Sequence, residues 1–205
     1  MSRFVHRLPL IASCLLLIPA AFVATPSVVS AAPVTATKLV VIRPFAKNGT
    51  LRTGYSVTKR VKGSCWEGSI LTNRVDAYRC TTGNFILDPC FSSPTGKKVG
   101  CPSKLNPHKV ELVRLTKPLP TANKGGARAW EIRLAGGNLC VFVSGASFVL
   151  NGMRANFSCL KHNIWAFGSL HANHQPWKVW TTWVSSSNPK KHGKLKLVKI
   201  RKAWL

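Results

Sequence analysis

The 205-residue sequence predicts a mainly β protein of disulfide-stabilised antiparallel sheets, with room for one short helix. Three observations carry that expectation. Six cysteines lie beyond the first thirty-one residues, none of them in a C-x-x-C pair. Short alternating segments recur between Gly, Asn and Pro turns, the pattern of half-buried strands. The one segment that looks amphipathic, 194–205, fails as a helix: at about 100° per residue Lys194 and Arg201 fall among Leu197, Val198 and Leu205.

Taken in order, residues 32–53 read as a leader or linker around Pro33, Pro44 and Gly49, with Leu39–Ile42 as a single strand. Residues 54–205 read as one disulfide-stabilised domain, with a seam at 121–128. Tyr55, Val57, Lys59 and Val61 alternate into Cys65, which predicts a strand. Ser69–Arg79 is the expected short helix, and Phe85–Leu87 a short strand after the Thr82-Gly83-Asn84 turn. Further turns are signalled at Asp88-Pro89 and Pro94-Thr95-Gly96. Beyond the loop at Thr121–Ala127, Trp130–Leu134 alternates, Gly136-Gly137-Asn138 turns, and Leu139–Ser144 is a compact apolar strand. Asn151-Gly152 between Phe148–Leu150 and Met153–Phe157 predicts a hairpin, because both central residues of its tight turn need φ > 0. Trp177–Val184 follows Pro176, and Ser185–Pro189 is a loop. In 194–205 Leu195 and Leu197 alternate with lysines, then the phase slips to Val198 and Ile200, as a β-bulge allows.

The first residues have the pattern of an address. Arg3 and Arg7 precede an apolar run, Leu8–Ala24, and a small-residue stretch ends at Val29-Ser30-Ala31, the layout of a secretory signal peptide spanning 1–31. Ile11-Ala12-Ser13-Cys14 resembles a lipidation site, but the apolar run continues ten residues past Cys14. Export implies an oxidising compartment, where an even cysteine set forms bridges. Fifteen pairings of Cys65, Cys80, Cys90, Cys101, Cys140 and Cys159 are possible; the favoured one closes the three local loops 65–80, 90–101 and 140–159. A zinc reading of Cys159, His162, His171 and His174 competes through its ligand-like spacing. It would orphan Cys140, and the histidines sit in a polar turn-like stretch, so no metal or other cofactor is expected.

Gly63-Ser64-Cys65-Trp66 with Gly68-Ser69-Ile70, then Arg74, Asp76-Ala77-Tyr78-Arg79-Cys80, then Asn84, Ile86 and Asp88-Pro89-Cys90-Phe91 resemble a family of uncharacterised secreted proteins from actinomycete-like bacteria. Trp130, Cys140, Ser144-Gly145-Ala146, Asn151-Gly152, Arg154, Asn156, Cys159, Trp180-Thr181 and Ala203-Trp204 extend the resemblance over about residues 55–205. It implies secretion, three bridges and one module across both halves. No activity comes with it, and this chain is more basic than such relatives.

Catalytic signatures are missing: there is no G-x-S-x-G, H-E-x-x-H, P-loop or G-x-G-x-x-G. Glycoside hydrolysis needs a carboxylate pair, and only Glu67, Asp76, Asp88, Glu111 and Glu131 are present. Asp76 is expected to pair locally with Arg74 or Arg79, Asp88 to serve a turn before Pro89, and Glu131 to sit in a strand among basic neighbours. Charge is the stronger signal. Thirty Lys and Arg against five acids give a net charge of +25. After Glu131 there is no acid, but eleven cations, and residues 32–64 hold seven more cations and no acid, so both one-signed ends attract polyanions. Seven of the eleven, Lys190, Lys191, Lys194, Lys196, Lys199, Arg201 and Lys202, form the candidate anion-binding segment. Trp177, Trp180 and Trp183 are candidate aromatic contacts, the first and third sharing one strand face and Trp180 taking the other. The expected function is a non-catalytic exported or surface-associated module adhering to anionic cell-wall or extracellular polymers, with nucleic acid as a non-specific partner. The alternatives are a small secreted hydrolase of cell-wall polysaccharide and a cationic membrane-active protein.

Overall fold

The computed structural model describes residue 33 and residues 35–205. The signal segment 1–31 and Cys14 lie outside the described residues. Thirteen strands, and no helix among the described residues, build two closed sheets in sequence.

The first sheet is a barrel of β2 (Ser56–Gly68), β3 (Ala77–Thr82), β4 (Phe85–Ser92), β5 (Lys98–Ser103) and β6 (Asn106–Leu115). Each strand turns back beside the last, so direction alternates. With an odd number of strands the closing pair must then run parallel, and β2 and β6 do. The thirteen-residue β2 serves both neighbours: residues 56–63 pair with β6 and residues 64–68 with β3. Register shifts at Val57/Lys59 and Cys65/Glu67 bend it around the barrel, as bulges do.

The second sheet runs through β7 (Glu131–Leu134), β8 (Leu139–Phe142), β10 (Met153–Cys159), β11 (Ile164–His171), β12 (Lys178–Trp183) and β13 (Lys196–Trp204). Six strands is an even number, so β13 closes onto β7 antiparallel. The two-residue β9 (Val149–Leu150) pairs with β10 across Asn151-Gly152, whose φ values of 50° and 74° fit the expected tight turn. Residues 32–53 contribute β1 (Lys38–Val40), which lies parallel to β13 where β12 has ended.

The expected helix over Ser69–Arg79 is not formed. The Ser69 hydroxyl accepts the N–H groups of Leu71 and Thr72 at 3.2 and 3.1 Å, offering the backbone an alternative to the helical ladder. Asn123 then holds the carbonyls of Ser69 and Thr72, and β3 begins at Ala77. The phase slip expected between Leu197 and Val198 is not formed: β12 and β13 pair without a shift from Lys196 to Lys199, and the register shift of β13 lies between Ile200 and Lys202.

The bridges are Cys65–Cys80, Cys90–Cys101 and Cys140–Cys159, the three local closures. Cys65 faces Cys80, and Cys140 faces Cys159, in direct register on neighbouring strands. A five-stranded barrel has a narrow interior, and here four half-cystines with Tyr78, Val99 and Val113 fill it. Cys65→Ala with Cys80→Ala is therefore expected to cost about 2–4 kcal/mol in urea denaturation; a loss below about 0.5 kcal/mol would refute the bridge as a core element.

Between the barrels Ile42, Leu71, Ala77, Phe91, Trp130, Leu139 and Trp204 form one apolar cluster. Arg74 bonds across it. Its Nη1 donates to the carbonyls of Ile42 (2.6 Å) and Leu205 (3.0 Å), its Nε and Nη2 grip Asp76, and its guanidinium lies 4.4 Å from the Phe91 ring centre.

Candidate functional site

Strand register places the basic side chains. On the first barrel Lys98 faces Arg114 across β5–β6, and Arg114 faces Lys62 across β6–β2. Register partners point to the same face, here the outer one, because Val99, Val113 and Val61 between them turn into the core. At a strand spacing of about 4.8 Å three cations line up within roughly 10 Å. Arg60, two residues before Lys62 on the same face, and Lys97 complete the rim of a concavity of about 530 Å³. No acidic residue lines it.

A second row repeats the arrangement on the other barrel. Lys38 of β1 faces Lys202 of β13, and Lys202 faces Arg133 of β7. Lys202 and Arg133 flank Trp204, with the charged groups 5.1 and 5.9 Å from its ring. With Leu105 of the β5–β6 turn and Pro107 and His108 at the start of β6 they line a cavity of about 370 Å³. Among the described residues the ion pairs are Arg74–Asp76 and Arg79–Glu67, so neither row is neutralised by a carboxylate. Like charges directly opposite one another on a sheet destabilise it, and the two rows hold four such pairs.

The seven residues of the expected segment divide. Lys190, Lys191 and Lys194 are exposed in the loop before β13. Lys196, Lys199 and Arg201 are exposed on β13, Lys199 facing Lys178 of β12. Lys202 alone joins a three-cation row. Lys38, Arg60 and Lys62 belong to the basic stretch 32–64 but were not singled out as site residues, and Lys97, Lys98, Arg114 and Arg133 were missed. The alternation of Arg60, Val61 and Lys62 marks an outward basic face, but which strands stand beside it is a matter of pairing.

The tryptophans also divide. Trp177 packs on the second barrel's core, while Trp180 joins a separate cluster with Ala155, Phe167 and Trp165 and stands 6.3 Å from His171. Trp183 is half exposed. Trp66, unremarked as a contact residue in the sequence, is 43% exposed; its indole N–H donates to Glu67, and Arg79 lies over its ring.

The carboxylates are engaged elsewhere. Asp76 is held by Arg74 and Glu67 by Arg79. Glu111 faces Lys59 and accepts a long bond from Thr82. Asp88 lies within β4; burial pushes its carboxyl up to about 6, against the opposing pull of the Ser69 hydroxyl, the Ile70 N–H and Arg79. Glu131 lies in a strand, β7, with Arg133 nearby as expected, but it is fully buried, both carboxyl oxygens lack a hydrogen-bond partner, and burial pushes it up to about 8 against the pull of Arg133. Cys159 is bonded to Cys140, so it supplies no thiolate to His162, His171 or His174. His162 occupies a positive-φ turn position, and His171 and His174 line a small cavity with Lys178.

No family model, curated protein or solved structure matches this chain in the comparisons made.

Proposed function

We propose that this is an exported, non-catalytic module that adheres to anionic polymers of the cell envelope or extracellular matrix through its two in-register cation rows. The observation that carries this reading is the Lys98–Arg114–Lys62 row around an acid-free concavity. Three bridges suit an oxidising compartment, which supports export. A repeating anion placed along the row would replace mutual repulsion with attraction and release its own counterions. Strands hold the charges at fixed spacing, so little side-chain positioning beyond the last rotamers is left to the moment of binding.

The row makes a paired expectation. Lys62→Gln, Lys98→Gln and Arg114→Gln together should weaken binding to inorganic polyphosphate and to heparin, and lower the slope of log K against log salt by about 2. The same variant should be slightly more stable than the parent, by a few tenths of a kcal/mol up to about 1 kcal/mol per relieved pair. Lys190→Gln, Lys191→Gln and Lys194→Gln serve as the comparison, removing equal charge from the loop. Titration calorimetry at about 50 and 200 mM salt reads the first effect, and urea denaturation the second. Equal losses in the two triple variants would reduce the binding to net charge and overturn the site.

A further inference from the structure

A six-stranded barrel has an interior that side chains fill, since even eight strands leave room only for side chains or one small ligand. In the second barrel Phe157, Ala166, Val179 and Ile200 fill it. One stretch of the wall departs from this closure. On β10 the register steps from Ala155↔Phe167 to Phe157↔Ala166, leaving Asn156 as an extra residue. On β11 it steps from Phe167↔Trp180 to His171↔Lys178, so Gly168, Ser169 and Leu170 stand opposite Val179 alone. Two bulges in adjacent strands open the wall at the same level. Bulges gather at barrel rims and beside binding sites because they re-aim side chains and end pairing.

The opening is pinned. Asn156 Nδ2 donates to the Gly168 carbonyl at 2.9 Å, and Arg154 Nη1 donates to Asn156 Oδ1 at 2.6 Å. Arg154 Nη2 in turn holds the carbonyls of Val143 and Gly145. Gly168 sits at φ 66°, which a residue with a side chain rarely adopts. Behind the bulges is a cavity of about 440 Å³ walled by Phe142, Phe157, Leu170 and Trp177, with Ser169 at its edge. It meets the size and the largely apolar lining of a small-molecule site.

One charge lines it. Arg128 lies over the Phe142 ring at 5.1 Å. Its Nε and Nη2 donate to the Leu71 and Ile70 carbonyls, which fix the guanidinium, and no carboxylate among the described residues pairs with it. The geometry points to a binding site for a small apolar carboxylate, its body against Phe142, Leu170 and Trp177 and its head on Arg128. This site is on the second barrel and is separate from the Lys98–Arg114–Lys62 row.

The probes are decanoate and 2-naphthoate, with 1-decanol and decyltrimethylammonium as neutral and cationic counterparts, followed by NMR of the tryptophan indole signals at about 200 mM salt to screen exposed charges. One equivalent of carboxylate should shift the Trp177 indole signal, with the cation at least tenfold weaker. Arg128→Gln should weaken the carboxylates tenfold or more and leave decanol unchanged. Because Arg128 also supports residues 70–71, a second variant, Ser169→Trp, fills the cavity from an exposed position and should abolish binding while signal dispersion stays that of the parent. Decanoate binding that survives Ser169→Trp overturns the site, as does a carboxylate shift lost in the Lys62, Lys98 and Arg114 triple variant instead. Equal binding of the cation, or no Trp177 shift with either carboxylate, overturns it too.

Discussion

Glu131→Gln is expected to leave stability nearly unchanged at pH 4 and to raise it by several kcal/mol at pH 9. Glu131 stands on β7 opposite Trp204 and Val141, with its side chain fully buried and both oxygens unpartnered. Desolvation penalises the charged form, and nearby Arg133 offsets only part of that, so the carboxyl is raised from about 4.5 to about 8. The folded state therefore binds a proton that the unfolded chain releases between those values. Stability is fully present below the unfolded pKa and falls as pH rises, by about 1.4 kcal/mol per unit, until the folded pKa is passed. Glutamine keeps the shape and removes the titration. Urea denaturation of parent and variant from pH 4 to 9 should show curves that diverge upward from about pH 5; parallel curves would mean that Glu131 ionises at no cost.

Arg74→Ala is expected to cost about 2–4 kcal/mol, from a buried carbonyl that loses its charged donor and from lost packing on Phe91, since Asp76, 39% exposed, is resolvated. Arg74 is one tenth exposed at its side chain and holds Asp76, the carbonyls of Ile42 and Leu205, and the Phe91 ring at once. Alanine leaves the Ile42 carbonyl and the Asp76 carboxylate without a protein donor and a gap beside Phe91, while the Leu205 carbonyl keeps the Ile42 N–H. Arg74→Lys should recover less than half, because an ammonium cannot reproduce the planar fork. Urea denaturation reads both; a lysine variant as stable as the parent would reduce Arg74 to a point charge.

Much of the β architecture was legible because its signals are local. Asn151-Gly152 demands positive φ at both positions, and the alternation through Trp130–Leu134 needs only one buried face. The bridges were legible because loop closure favours near neighbours in the chain. The barrels themselves were not, since closure depends on which distant strands meet: nothing local in Ser56–Gly63 names β6 as its parallel partner. The Ser69–Arg79 expectation failed because Ser69 diverts the backbone, a competition decided by Asn123 from another part of the chain. For the candidate site the basic residues could be counted, but the site is a property of register. Lys62, Arg114 and Lys98 are scattered in sequence and become a row only through pairing. Lys190, Lys191 and Lys194 lie close together in sequence, yet the structure leaves them exposed in a loop, outside any strand register.

The closure of both sheets also sets an order on folding. Lys38 pairs with Lys202 and Leu134 with Ile200, and Ser56 needs Lys109. Contacts so far apart in the chain must overcome loop-closure entropy before they return any stabilisation, which places this topology among slow folders of high contact order. Until β13 arrives, the second barrel has an open wall and β1 has no sheet to join. A nascent chain stalled before residue 196 would thus hold at most the first barrel as a finished unit, with the second sheet still unclosed.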